Sequence, residues 1–393
     1  MNSKRSALPV FLAFLAMGFL DAVGPIVGPA REQFQLSNFT AQLIPFVGFI
    51  MFGVLSLPMG VFQDKKGKKF VLLLGLVVML SGILIPALWG FSTFPVFLIT
   101  ILLLGAGATM LQVSGNPIMR DVSPEGKYSR NLSLAQFVKA IGSLSGPVII
   151  AVAARYFGRN WDVLFPIYAV ALVITVIAIL PLKVQDRPDE AHHPVSFAST
   201  VGLLKNGYVL MMVLGIFFYV GAEVCVSSGI PLYLKERFGV DISKSGVLNT
   251  GYFFMALTIG RFSGGVILNW IRPRAFFLVT CALSILGLLG LFIPNQGVAV
   301  ASFVLIGLGF ANIFPLIFSI TVDHMPEQAN ALSGLMVMAI VGGAIIPPIM
   351  GLVSDNLKSV QLGFIVPLVC ILYISYTALA QKKSTATSGI AAD

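Results

Sequence analysis

Four charge-bearing side chains stand inside otherwise apolar runs of this chain: Asp21, Lys139, Glu223 and Arg261. An ionised group at the centre of a bilayer costs about 2.5–3.5 kcal/mol on insertion scales, so each must face a partner, a cavity or a solute. Asp21 and Glu223 are the only acids so deep in these runs. They are the candidates to take up and release a coupling proton. Lys139 either pairs with Asp21, as a working or a purely structural ion pair, or waits for an anionic group on a solute. Gln136 lies three residues before Lys139, on the same helical face, and Gln112 and Asn116 are four apart and share another. Their amides donate and accept hydrogen bonds, as a hydroxyl-rich solute requires. Glu223, in "FYVGAEV", is a candidate for that site, or packs with Ser227 or Asn249 as its partner. Arg261, in "IGRFSGG", is nearer one end of its run and reads as part of a gate. Tyr219, Asn249, Tyr252 and Asn312 complete the candidate liners of a binding cavity, although an aromatic in such a run more often packs.

The elements that must position these residues are membrane helices. The chain has 393 residues, 57% hydrophobic and 10% charged, with a mean hydropathy of +0.94. That composition belongs to membrane proteins. Runs such as "VLLLGLVVMLSGILIPALWGF" and "VLFPIYAVALVITVIAILPL" can each cross ~30 Å of hydrocarbon. Twelve spans are expected, near 8–30, 40–62, 70–91, 95–118, 132–156, 162–182, 207–234, 244–269, 274–293, 297–321, 328–354 and 361–380. The polar stretch "KVQDRPDEAHHPVS" divides them six and six: an N-terminal half 1–182, a linker 183–206 and a C-terminal half 207–393, the plan of two repeated halves. The fold class expected is therefore all-α, with two pseudo-symmetric six-helix halves.

Sixteen of the 25 Lys and Arg residues fall in loops on the side of the termini, seven in loops on the opposite side, and two, Lys139 and Arg261, in spans. This excess puts both termini in the cytoplasm. The same placement in short loops accounts for the net charge of +9 without nucleic acid. The first apolar run is longer than a signal-peptide core and has no small-residue cleavage site, so it reads as a retained first span. Cys225, Cys281 and Cys370 all lie in apolar segments without metal-ligand spacing. The pair His192-His193 lacks further ligands, so neither a metal nor another cofactor is expected.

The loop after the second span reads Gly60-Val-Phe-Gln-Asp64-Lys65-Lys66-Gly67-Lys68-Lys69. Its ordered spacing exceeds what a basic inner loop needs. Asp64 can pair with basic groups across the bundle, Gly60 can admit a close helix, and Gly67 permits a tight turn. Together with Lys68 and Arg261 they form a candidate conformational gate. The equivalent loop of the second half, "GGVILNWIRPR", is degenerate, with Asn269 where an acid would stand.

This loop matches the G-x-x-x-D-[RK]-x-G-[RK]-[RK] signature of the major facilitator superfamily. "GATMLQVSGNP", "NLSLAQF", "FFYVGAEV", "IGRFSGG", "GLGFANIFPLIFS" and "IVGGAIIPPIMGLVSD" resemble, in the same order, the fucose/glucose/galactose permease branch. The resemblance implies a twelve-helix transporter that imports a sugar with protons across the inner membrane. Three positions differ from the fucose-transporting members. Gln112 stands where they carry an acid, the first-span aspartate is Asp21 rather than a residue near Gly24, and Lys139 replaces an uncharged polar residue.

There is no phosphate-binding G-x-x-x-x-G-K-[ST] loop, so the energy source expected is an ion gradient or the solute's own gradient. The reading is a non-enzymatic, monomeric secondary transporter of a sugar or sugar derivative, coupled to protons. The alternatives are an exporter of drugs or metabolites from the same superfamily and an importer of acidic sugars. A membrane-embedded enzyme or sensor is disfavoured by the two-half repeat and the lack of a catalytic constellation. If Asp21 neutralises Lys139, an uncharged hexose or amino-sugar derivative is preferred over a carboxylated one.

Overall fold

In a bilayer no water satisfies backbone amides, so a spanning chain must bond to itself as helix or closed barrel. The computed structural model follows the helical solution. It describes residues 3–90, 93–122, 128–159, 161–182, 197–241, 247–268, 270–325 and 328–380, and among these there is no strand. Among the described residues ten helices are long and apolar enough to cross a membrane, from Leu43–Gln63 to Val360–Ala380. The first and eighth spans complete the expected twelve: Ser3–Met17 with Val23–Phe34, and Val247–Ile267. Much of the surface is apolar, as a lipid-facing surface must be. Val170, Ile174 and Ile177 are all more than half exposed on the sixth span.

Several spans are broken where they matter. The first loses its α-helical ladder over Gly18–Ala22, where Asp21 N–H bonds the carbonyl of Gly18 and Gly24 N–H that of Asp21, three residues back. The tenth divides into Gln296–Phe310 and Ile313–His324. The eleventh divides at a 3-10 turn, Ala339–Val341, between Ala329–Met338 and Gly342–Asn356. The seventh, Gly207–Phe238, is continuous. Asn206 caps its start by accepting from Tyr208 N–H and Val209 N–H, and Gly239 ends it at φ 65°.

The linker 183–206 is described from Phe197 onward, as a short helix Phe197–Gly202 and a 3-10 turn Leu203–Lys205. Its residues 183–196, with His192 and His193, and Asn269 lie outside the described residues. In the signature loop, Gly67 takes φ 88°, ψ 150° between helices Leu43–Lys66 and Lys68–Trp89, a turn that disfavours any side chain. Lys68 opens the second of these helices. Asp64 lies on the first, its side chain outside the described residues. A β-carbon on Gly60 would meet nothing within 4 Å among the described residues, so here it is not a point of close helix approach.

Candidate functional site

The break in the first span sets Asp21 against the fifth span, Tyr128–Phe157. The two backbones touch because glycine stands on both sides. A β-carbon on Gly18 would lie 2.2 Å from the Lys139 carbonyl oxygen, and one on Gly142 would lie 2.2 Å from the Leu15 carbonyl oxygen. Lys139 and Ser143, one turn apart, then both face Asp21. The Ser143 hydroxyl donates to Asp21 Oδ2 at 2.7 Å, and Lys139 Nζ stands 3.9 Å from the same oxygen. The hydroxyl holds the direct hydrogen bond. The ammonium is a partner at charge-pair distance, with donors to spare.

The C-terminal half carries its own pair. Arg261 Nη2 donates to Glu223 Oε1 at 3.4 Å, each side chain 15% exposed. Tyr219, one turn before Glu223, is buried beside them. These residues line one cavity between the halves, together with Gln112, Gln136, Ser227 and the phenyl rings of Phe49, Phe52, Phe254 and Phe314. Its volume is ≈ 60 Å³. That is room for a few water molecules. Two acids and two bases leave the wall near neutrality, and the amides and aromatic faces offer hydrogen bonds and apolar contact.

Of the candidates from sequence, Asp21, Gln112, Gln136, Lys139, Tyr219 and Glu223 meet in this wall. Arg261 meets them there as well. The expectation for Arg261 was a place in the gate. The structure sets it in the cavity, because the eighth span turns its guanidinium toward Glu223 across the C-terminal half. Ser227, one of the partners considered for Glu223, instead donates to the Val224 carbonyl.

Four candidates lie outside the lining. Asn312, in the break of the tenth span, donates to the Gly260 carbonyl at 2.8 Å and packs over Gly264, holding two helices together. Tyr252 is exposed on the helix surface, and Asn249 is part-buried near the start of the same helix. Asn116 is one turn beyond Gln112, and its buried Oδ1 accepts no hydrogen bond among the described residues. Sequence reasoning missed Ser143, Ser227 and the four phenylalanines. Ser143 had a signal: it follows Lys139 by four residues, on the same face. A phenylalanine among 31 carries none.

Residues 10–348 match the Major Facilitator Superfamily. Among curated relatives, the putative glucose/galactose transporter of Helicobacter pylori is 31% identical over 95% of this chain and 96% of its own. The glucose/galactose transporter of Brucella abortus is 30% identical over 95% and 93%. The L-fucose-proton symporter of Escherichia coli is 24% identical over 98% and 96%. Among solved structures, the transporter FucP in its outward conformation superposes with a TM-score of 0.69 at 20% identity, over 95% of this chain and 99% of that one. An inward-facing bacterial homologue of the lysosomal transporter Spinster gives 0.74 at 14% identity, over 96% and 97%. The chain belongs to the Major Facilitator Superfamily, whose members here are transporters and not enzymes, on the branch that holds the glucose/galactose and fucose permeases.

Proposed function

We propose that this protein imports a neutral monosaccharide across the inner membrane by proton symport, with both termini in the cytoplasm. The observation that carries the reading is the cavity itself. It lies between the two halves and has one acid–base pair from each half plus two amides and four phenyl rings. Each cation already has its carboxylate, so an uncharged hydroxylated ring fits the wall without leaving a bare charge. The relatives named for glucose, galactose and fucose support the substrate class, and the fucose-proton symporter supports the coupling ion. Asp21 and Glu223 are the groups for the proton. Both stand in the wall beside a cation.

Uptake of labelled glucose, galactose and fucose into proteoliposomes tests this reading, with an imposed pH gradient compared against a sodium gradient. Accumulation driven by the pH gradient is expected. Glu223→Gln or Asp21→Asn is expected to abolish accumulation while counterflow exchange survives. If both variants still concentrate sugar under a pH gradient, neither residue carries the proton. A second reading rests on the 3.9 Å separation at Lys139, which leaves ammonium donors available. A carboxylated sugar could take them. Competition by uronic acids alone, lost in Lys139→Gln, would select it.

A further inference from the structure

Both ion pairs of the cavity lie within a single half, so a rocking motion of one half against the other leaves them intact. Among the described residues most polar contacts that cross between halves are found elsewhere, toward the face opposite the termini; the exception is Thr258, whose hydroxyl reaches the Ala140 carbonyl at 3.4 Å, next to Lys139. The most extensive is made by Asp355, at the end of the eleventh span. Its Oδ1 accepts from Asn38 N–H at 3.1 Å and from Asn38 Nδ2 at 2.7 Å, and its Oδ2 accepts from Phe39 N–H at 2.8 Å. Those amides open the short helix Asn38–Ala41, which leads into the second span. Ser37 serves Thr40 N–H with its side chain and Ala41 N–H with its carbonyl. The first two free N–H groups of an N-terminal helix are thus capped by a carboxylate from the C-terminal half.

The neighbouring contacts run the same way. One turn before Asp355, a β-carbon on Gly351 would lie 2.8 Å from the Asn38 carbonyl oxygen and from Phe39 Cα, so the two backbones are flush. Lys235 at the end of the seventh span pairs with Glu32 at the end of the first. Below them the Ser228 hydroxyl donates to Gln42 Oε1 at 3.0 Å, buried, and Gly24 rests on Ser227 at the edge of the cavity. Polar contacts and small residues therefore seal the route from that face down to the cavity in layers. Glu236 gives the contrast. It caps Val360 N–H, at 2.9 Å from each carboxylate oxygen, but within its own half, where rocking does not break the contact.

We propose that Asp355, seconded by the Glu32–Lys235 pair, is the latch of the outer gate, holding the N-terminal and C-terminal halves together only while the face opposite the termini is closed. The chemistry suits a reversible latch. Phe39 and the Lys235 side chain are exposed, so water takes over the released donors and acceptors when the halves part. An exposed ion pair adds only a modest bias.

Spin labels at Gln33→Cys and Leu357→Cys in the full-length protein, reconstituted without sugar, report the width of this face by pulsed dipolar spectroscopy. Both positions are exposed, while the three native cysteines are buried. Asp355→Ala is expected to raise the long-distance population several-fold over the labelled parent, and Asp355→Glu to restore part of the short one. Glu32→Lys is expected to widen the face as well, and the reversal Glu32→Lys with Lys235→Glu to close it again. Distance distributions unchanged from the parent in Asp355→Ala and in Glu32→Lys would overturn the proposal. Should Asp355→Ala fail to fold, the charge-reversal pair decides alone. The readout involves no substrate, so it stands or falls separately from the sugar reading.

Discussion

At the residue scale, the site turns on how firmly each charge is held. Asp21 has two partners, the Ser143 hydroxyl at 2.7 Å and the Lys139 ammonium at 3.9 Å, whereas among the described residues the carboxylate at ion-pair distance from Lys139 is Asp21. The two truncations are therefore unequal. Lys139→Met leaves Asp21 a hydrogen bond, while Asp21→Ala strands an ammonium in an apolar bundle. Asp21→Ala is expected to destabilise by about 1–3 kcal/mol, below the range for breaking a fully buried pair because both side chains keep some exposure. Lys139→Met should cost less, and the double variant less than the sum. Thermal unfolding of the purified proteins checks this, and strict additivity would show that the two groups do not interact.

At the element scale, a few glycines decide which helices meet. The first and fifth spans cross at Gly18 and Gly142, with carbonyl oxygens where β-carbons would be. That crossing brings Lys139 and Ser143 to Asp21. Adding one methyl at Gly18 forces the helices apart, and overpacking of this kind costs about 1–3 kcal/mol. Gly18→Ala should therefore lower thermal stability and weaken sugar uptake together. Gly60→Ala, where a β-carbon meets open space, should leave thermal stability unchanged. Equal melting losses for the two would mean that the crossing is not the tight point described. The break at Gly18–Ala22 belongs to the same scale. It ends one α-helical ladder before Asp21 and starts another just after it, so the carboxylate sits on irregular backbone beside the cavity, where membrane proteins tolerate such backbone.

At the scale of the whole molecule, each half keeps its own ion pair, and contacts at the face opposite the termini link the halves. Alternating access then needs those contacts to part and the pairs to travel intact. A bis-methanethiosulfonate crosslink between Glu32→Cys and Lys235→Cys, whose native side chains pair at this exposed face, should stop uptake and release it again on reduction. Uptake that continues with the crosslink in place would show that the outer halves need not separate.

Composition and the lengths of the apolar runs were enough to determine a helical membrane protein with twelve spans. The glycine–aspartate–lysine loop, with the ordered motifs beyond it, determined the family. Buried charge is costly in lipid wherever it occurs, so Asp21, Lys139, Glu223 and Arg261 were legible one by one, and Asp21 with Lys139 even as a pair. The partner of Glu223 was decided only by the tertiary structure, as were the places of Asn312 and Gly60 and the aromatic part of the wall. The reason is that membrane helices are apolar on their packed face and on their lipid face alike, so periodicity does not say which way a helix is turned. Which helix faces which is settled by small residues that let backbones touch, and those contacts join positions far apart in the chain. Asp355 and Asn38 are 317 residues apart. Nothing local in "GLVSDN" or "LSNFTA" announces that one caps the other.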